Sequence, residues 1–170
     1  MAPTKRPCKA FDFAKKFKAK NLVINEPPAD ALAGLDKLAN EFGMNVAILG
    51  SDSPETLLKA LEGKSSRLGA CADLAAWKRA GLSPTDCVTK LGARVIEVHL
   101  SDVDAQGKEV PLGQGSVDAA ATLKQLKAQN FKGIFAIHYW SGSGQELLEN
   151  FAKSVNAFNK IVTEVAGTAP

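Results

Sequence analysis

Residues 94–102 read RVIEVHLSD. Between Arg94 and the closing Ser101 and Asp102 the run is apolar and rich in β-branched residues, interrupted only by Glu97 and His99. A strand that is nearly continuously apolar is one buried on both faces, and such strands belong to parallel sheets covered by helices. The rest of the sequence has the matching rhythm. NLVIN (21–25), MNVAIL (44–49), LGACA (68–72) and GIFAIHYW (133–140) are each long enough for one strand, and helical patterns separate them. Leu32, Leu35, Leu38 and Phe42 form an apolar stripe that Gly43 closes. Ser53 before Pro54, and Ser83 before Pro84, supply an N-cap and a first-turn proline for two more helices, which end near Gly63 and Gly92. SVDAAATLKQLKAQN (116–130) and QELLENFAKSVNAFNKIVTEVAG (145–167) add two more. The pattern predicts an opening helix followed by about five βα units with parallel strands, because each helix returns the chain to its starting edge.

Composition limits the function classes. The chain has 170 residues, 45% of them hydrophobic and 23% charged, with a net charge of +3. That suits one globular domain over 1–170, with a flexible N-terminus expected over 1–9. The basic opening from Lys5 to Lys20 reads as the solvated face of an amphipathic helix carrying Lys15, Lys16, Lys18 and Lys20; a nucleic-acid footprint calls for a stronger basic bias. Cys8, Cys71 and Cys87 are odd in number and show no CxxC spacing, so neither a disulfide framework nor a zinc knuckle is indicated. No apolar run reaches the roughly 18 residues of a membrane span, and the start lacks the apolar core of a signal peptide. A cytoplasmic protein is expected, with no nucleic-acid or membrane partner.

Two parallel architectures compete, a doubly wound sheet and a (β/α)8 barrel. No GxGxxG joins a first strand to a helix, so the dinucleotide fingerprint is missing. In both architectures the chemistry gathers at the C-terminal ends of the strands. There stand Glu26, Asp73, His99 with Asp102, and His138. Taken singly, each suits a structural role, an Asp as helix cap or a His as a satisfied core residue. Taken together they predict a site at one mouth, where buried polar groups need partners and a divalent cation is one. Alternation puts Glu97 on the face of His99 and Ser101, pointing into the barrel, with Ile96, Val98 and Leu100 on the other.

The run from LGACADLAAW through RVIEVHLSD and VPLGQGSVD to FKGIFAIHYW resembles the C-terminal part of the sugar phosphate isomerase/epimerase superfamily, the xylose-isomerase-like TIM barrels. In that family one strand ends in Asp, the next carries HlkD, a glycine loop follows, and an FkG approach leads to the last strand. The likeness covers roughly residues 10 to 165 and aligns the five strands with the fourth to eighth of the family. It implies a partial TIM barrel and a divalent metal (manganese, cobalt, magnesium or zinc) at the mouth. It further implies a sugar or sugar phosphate substrate whose proton next to the carbonyl is moved through an enediolate. The implied metal ligands are Asp73, His99 and His138; the implied proton-transfer groups are Glu26, His138 and Asp102; and Glu97, Trp77, Trp140 and Gly113 fall to substrate binding.

The departures are as informative. Leu49-Gly50-Ser51 stands where the family has a ligating or basic residue, DTGHW has become Asp73-Leu74-Ala75-Ala76-Trp77, and His138 replaces the terminal glutamate. A DNA-repair endonuclease family shares the fold but binds its metals through more His and Glu than this chain has. Three readings stand: a member or fragment of a metal-dependent sugar isomerase, epimerase or related lyase with an altered site, a catalytically silent relative that binds a sugar or a protein, and a half-barrel module completed by a second copy or a partner chain.

Overall fold

A computed structural model describes residues 5–50 and 53–167, with side chains from Lys9 onward. Helix α1 (Lys5–Lys16) opens the chain, followed by β1 (Asn21–Asn25), α2 (Leu32–Phe42), β2 (Asn45–Leu49), α3 (Pro54–Ala60) and β3 (Leu68–Asp73). Then come α4 (Leu74–Arg79), α5 (Pro84–Leu91), β4 (Val95–Leu100), the short strands β5 (Asp102–Val103) and β6 (Glu109–Val110), α6 (Ala119–Ala128), β7 (Ile134–Ile137) and α7 (Gly144–Gly167). Of the flexible stretch expected over 1–9, residues 1–4 lie outside the described residues, and Lys5 already belongs to α1. Lys15 and Lys16 close that helix, whereas Lys18 (φ 56°) and Lys20 lie beyond it.

The five long strands are parallel and stand in the order β1-β2-β3-β4-β7. Each new strand is added beside the last without reversal. A doubly wound sheet reverses its strand order at a switch point, so this is the winding of a barrel, and the sheet is a five-stranded part of one. The helix-facing side carries the main core: Val46, Ile48, Leu68, Ala72, Val98 and Leu100 pack with Leu57, Val88, Leu91 and Leu126 from the helices. The concave side holds a smaller cluster, Ala47, Cys71 and Ile96, with Leu49 against it.

Ile96 corrects the alternation read from the sequence. The register between β3 and β4 shifts between Ala70 and Cys71, so that Val95 lies opposite Ala70 and Glu97 opposite Cys71. Two consecutive residues, Ile96 and Glu97, therefore lie on the concave side, as a β-bulge requires. Gly69 makes room for this: a Cβ there would fall 2.2 Å from the Arg94 carbonyl oxygen and 2.9 Å from Ile96. Arg94 in turn donates to the carbonyls of Leu61, Lys64, Ser65 and Leu68, satisfying the chain that follows α3. Both predicted N-caps form, Ser53 accepting from Thr56 N and Ser83 from Asp86 N.

Candidate functional site

The register brings the chemistry together. Asp73 pairs with His99, and His99 with Ala136 of β7, while the backbone N–H of His138 donates to Leu100 O at 3.0 Å. Three strands thus deliver a carboxylate and two imidazoles to one end of the sheet.

Each is held in a definite way. Asp73 Oδ1 caps α4, accepting from Ala76 N at 3.0 Å, and also accepts from Ser101 Oγ at 2.9 Å. Ser101 Oγ takes the Ala75 N–H at 3.1 Å. The His99 ring is 4% exposed and stacks on His138 with centroids 3.8 Å apart and planes 24° apart. Its Nε2 lies 3.6 Å from Glu97 Oε1, within ion-pair range but long for a hydrogen bond, and its Nδ1 is buried with no partner. Burial, then the neighbouring charge of His138, lowers the His99 pKa below 6.5, against the pull of Asp73 and Glu97. Beneath it Glu97 Oε2 accepts from Asn21 Nδ2, whose Oδ1 accepts from Asn45 Nδ2, so a line of polar side chains crosses the concave face. At the rim, Trp140 Nε1 donates to His138 Nδ1 at 3.2 Å. Glu109 Oε2 accepts from Trp140 N, Ser141 N and Ser141 Oγ, at 2.9, 2.7 and 2.7 Å, and so ties the exit of β7 to β6.

Asp73, Arg79, Ser101, Glu109, His138 and Trp140 line an open cavity of about 380 Å³, a volume suited to a small molecule. Arg79, exposed at the rim, donates its Nε to Gly107 O at 3.0 Å. Of these residues, Asp73, His138 and Trp140 are expected from the sequence, and Arg79, Ser101 and Glu109 are not. Ser101 was within reach, since it shares the face of His99; Arg79 and Glu109 stand away from any strand end that periodicity reveals.

Several expected residues lie elsewhere. Asp102 is 0% exposed and all its acceptor capacity goes to backbone: Oδ1 to Val103 N and Val117 N, Oδ2 to Gly113 N and Gly115 N. It is a clasp for residues 102–117, with no face for a substrate, and it takes the Gly113 N–H expected to meet one. Trp77 is 6% exposed and belongs to the helix-side core. Glu97 is buried under His99 and does not line the cavity. Glu26 is exposed after β1, two strands from Asp73 and so about 10 Å away by strand spacing. Ser51, at the family's missing ligand position, lies outside the described residues.

The implied metal does not fit this donor set. Among the described residues no three His, Cys, Asp or Glu side chains converge where a cation could sit. A ligating imidazole holds a metal in its ring plane at about 2.0–2.1 Å; the stacked His99 and His138 planes converge too slowly to meet at that distance. The third donor, Asp73, has one oxygen committed to the cap and to Ser101.

Parallel strands wound in one direction, with polar groups at their C-terminal ends, define the class: a partial (β/α) barrel with polar side chains gathered at its mouth. The chain belongs to the xylose isomerase-like TIM barrel family, whose profile matches residues 29–161. Among curated proteins, the 3-dehydroquinate dehydratase of Salinispora tropica is 34% identical over 80 residues, 46% of this chain and 55% of that protein. The chain spans about half the length of the curated relatives it matches. Two of the solved structures that share the fold illustrate the likeness. One is the IOLI protein with a binding zinc atom, at TM-score 0.75 and 16% identity over 94% of this chain and 69% of that one. The other is D-allulose 3-epimerase from Methylomonas sp. in complex with D-allulose, at TM-score 0.73 and 15% identity over 89% of this chain and 66% of that one. Among the described residues no helix is long and apolar enough to cross a membrane.

Proposed function

We propose that the chain binds a small polyhydroxylated carbonyl compound, a sugar or a hydroxylated keto acid, in the Asp73–His138 cavity and moves the proton on the carbon next to its carbonyl. The observation that carries this reading is the shared cavity of a carboxylate, an imidazole, an arginine and an indole at the sheet's C-terminal mouth. Asp73, with Oδ2 outside the cap, accepts the proton from carbon. His138 steadies the oxygen on which charge develops, and Arg79 and Trp140 orient the rest. The proton held by Asp73 then returns to the same carbon, which is epimerisation, or to the carbon of the former carbonyl, which is isomerisation, or it passes to a β-hydroxyl that leaves as water while the enolate collapses to the conjugated carbonyl, which is dehydration. All three outcomes begin with the same proton removal, and they include the two activities named among the relatives, epimerase and dehydratase. No step in this reading passes through a metal.

The test is deuterium exchange. Ketoses, aldoses and cyclic hydroxy-keto acids incubated with the protein in heavy water gain deuterium beside the carbonyl, and Asp73→Asn lowers that rate at least 100-fold, the usual scale of a general base. Absence of exchange across such a panel, together with unchanged Trp140 and His138 NMR signals on adding each compound, overturns the reading.

A further inference from the structure

The cavity contains an imidazole whose protonation pattern is fixed by the indole beside it. Trp140 Nε1 lies 3.2 Å from His138 Nδ1, and an indole N–H can only donate. Nδ1 must therefore offer its lone pair, and a neutral imidazole that accepts at Nδ1 carries its proton on Nε2. His138 is also fixed from its other side by the ring of His99, stacked at 3.8 Å. Trp140 itself is held by its backbone, through the Glu109 carboxylate that accepts from Trp140 N and Ser141 N. The indole is 74% exposed, so apolar burial does not account for its place; a hydrogen bond to His138 and a T-shaped contact with its ring do.

We propose that Trp140 is a positioning residue that locks His138 in the Nε2–H tautomer, so that the mouth presents a fixed hydrogen-bond donor in place of a divalent cation. This rests on the reading that the cavity receives a carbonyl compound. It goes beyond that reading in naming the electrophile and the device that sets it. In this arrangement His138 is neither a metal ligand nor a base through Nε2, because that nitrogen has no free lone pair. Polarisation of the ligand oxygen then falls to an N–H, and the metal requirement implied by the family is absent from this chain.

Ring-nitrogen NMR on the full chain with ¹⁵N-labelled imidazoles tests this without any substrate. The sequence holds two histidines, so His99→Gln and His138→Gln assign both rings. At a pH where both rings are neutral, His138 shows a protonated Nε2 and an unprotonated Nδ1. In Trp140→Phe the Nδ1–H form, missing before, becomes detectable while the backbone spectrum of β4 stays in place. One equivalent of zinc leaves both rings unshifted. A proton on Nδ1 of His138 in the unaltered chain overturns the proposal, as do ring signals that ignore Trp140→Phe. Zinc bound at one per chain and lost in both His99→Ala and His138→Ala overturns it too. Failure of deuterium exchange with the tautomer as described removes the functional reading alone; exchange with the wrong tautomer removes this inference alone.

Discussion

His99 is the residue at which burial and charge are most directly opposed. Its ring is buried, its Nδ1 has no partner, and the groups facing it are the cation-capable His138 and the carboxylates Asp73 and Glu97. Desolvation prevails, and the folded-state pKa falls below 6.5. The sign of the consequence follows from proton counting. Between the lowered native pKa and 6.5, the unfolded chain binds a proton that the folded chain refuses, so stability rises with pH across that window and is lost as pH falls through it. Urea unfolding at pH 7.5, 6.5 and 5.5 is expected to show declining stability, with a slope from this one group of at most about 1.4 kcal/mol per pH unit. In His99→Gln that part of the slope disappears. An identical pH profile for the two proteins would mean that His99 has the same pKa in the folded and unfolded chain.

The segment from β5 to α6 shows how one element is built around a single carboxylate. Residues 102–117 contain only a short antiparallel hairpin, with Asp102 opposite Val110 and Val103 opposite Glu109, too little pairing to hold a loop of this length. Asp102 compensates by gathering four backbone N–H groups from the two ends of the segment. Gly115 is needed for this, since a Cβ there would lie 2.3 Å from Asp102 Oδ1. In Asp102→Asn one acceptor becomes a donor facing N–H groups, and two backbone donors go unpaired. The expected loss is about 2–6 kcal/mol of stability in denaturant unfolding, at roughly 1–3 kcal/mol for each orphaned group. Rates in the exchange assay, measured under folded conditions, should change little; a large kinetic effect at full stability would return Asp102 to the catalytic set. The elements also show what was legible in the sequence. Strands such as NLVIN and VIEVHL declare themselves by β-branched runs. Helix α4 is six residues long and starts directly at the end of β3, too short for a period, so Asp73 read as a ligand although it serves as an N-cap. The hairpin of two-residue strands gives no alternation, which is why Glu109 went unseen, and the bulge at Ile96 breaks the rule by which its face was assigned.

At the scale of the molecule the sheet has a centre and two edges. β3 and β4 are paired on both sides, and their inward and outward side chains are buried, from Leu68 to Ala72 and from Val95 to Leu100. β1 and β7 form the edges and leave Val23 38% and Ile134 43% exposed on the concave side. Apolar burial near 25 cal/mol per Å² stabilises the centre far more than the edges, and an edge strand lacks one row of ladder hydrogen bonds. Opening is therefore expected to be graded across the sheet. In native-state amide exchange, the hydrogen-bonded amides of β3 and β4 should be the slowest, approaching the global unfolding free energy, with β2 close behind. Those of β1 and β7 should exchange through smaller openings, at rates at least tenfold higher. The site straddles this gradient, because Asp73 and His99 stand on the slow strands while His138 follows the fast one. The tether between Glu109 and residues 140–141 joins the two regimes. Glu109→Gln should accordingly speed exchange after β7 and leave β3 and β4 unchanged. Uniform acceleration over the whole sheet would show instead that the five strands open as one unit.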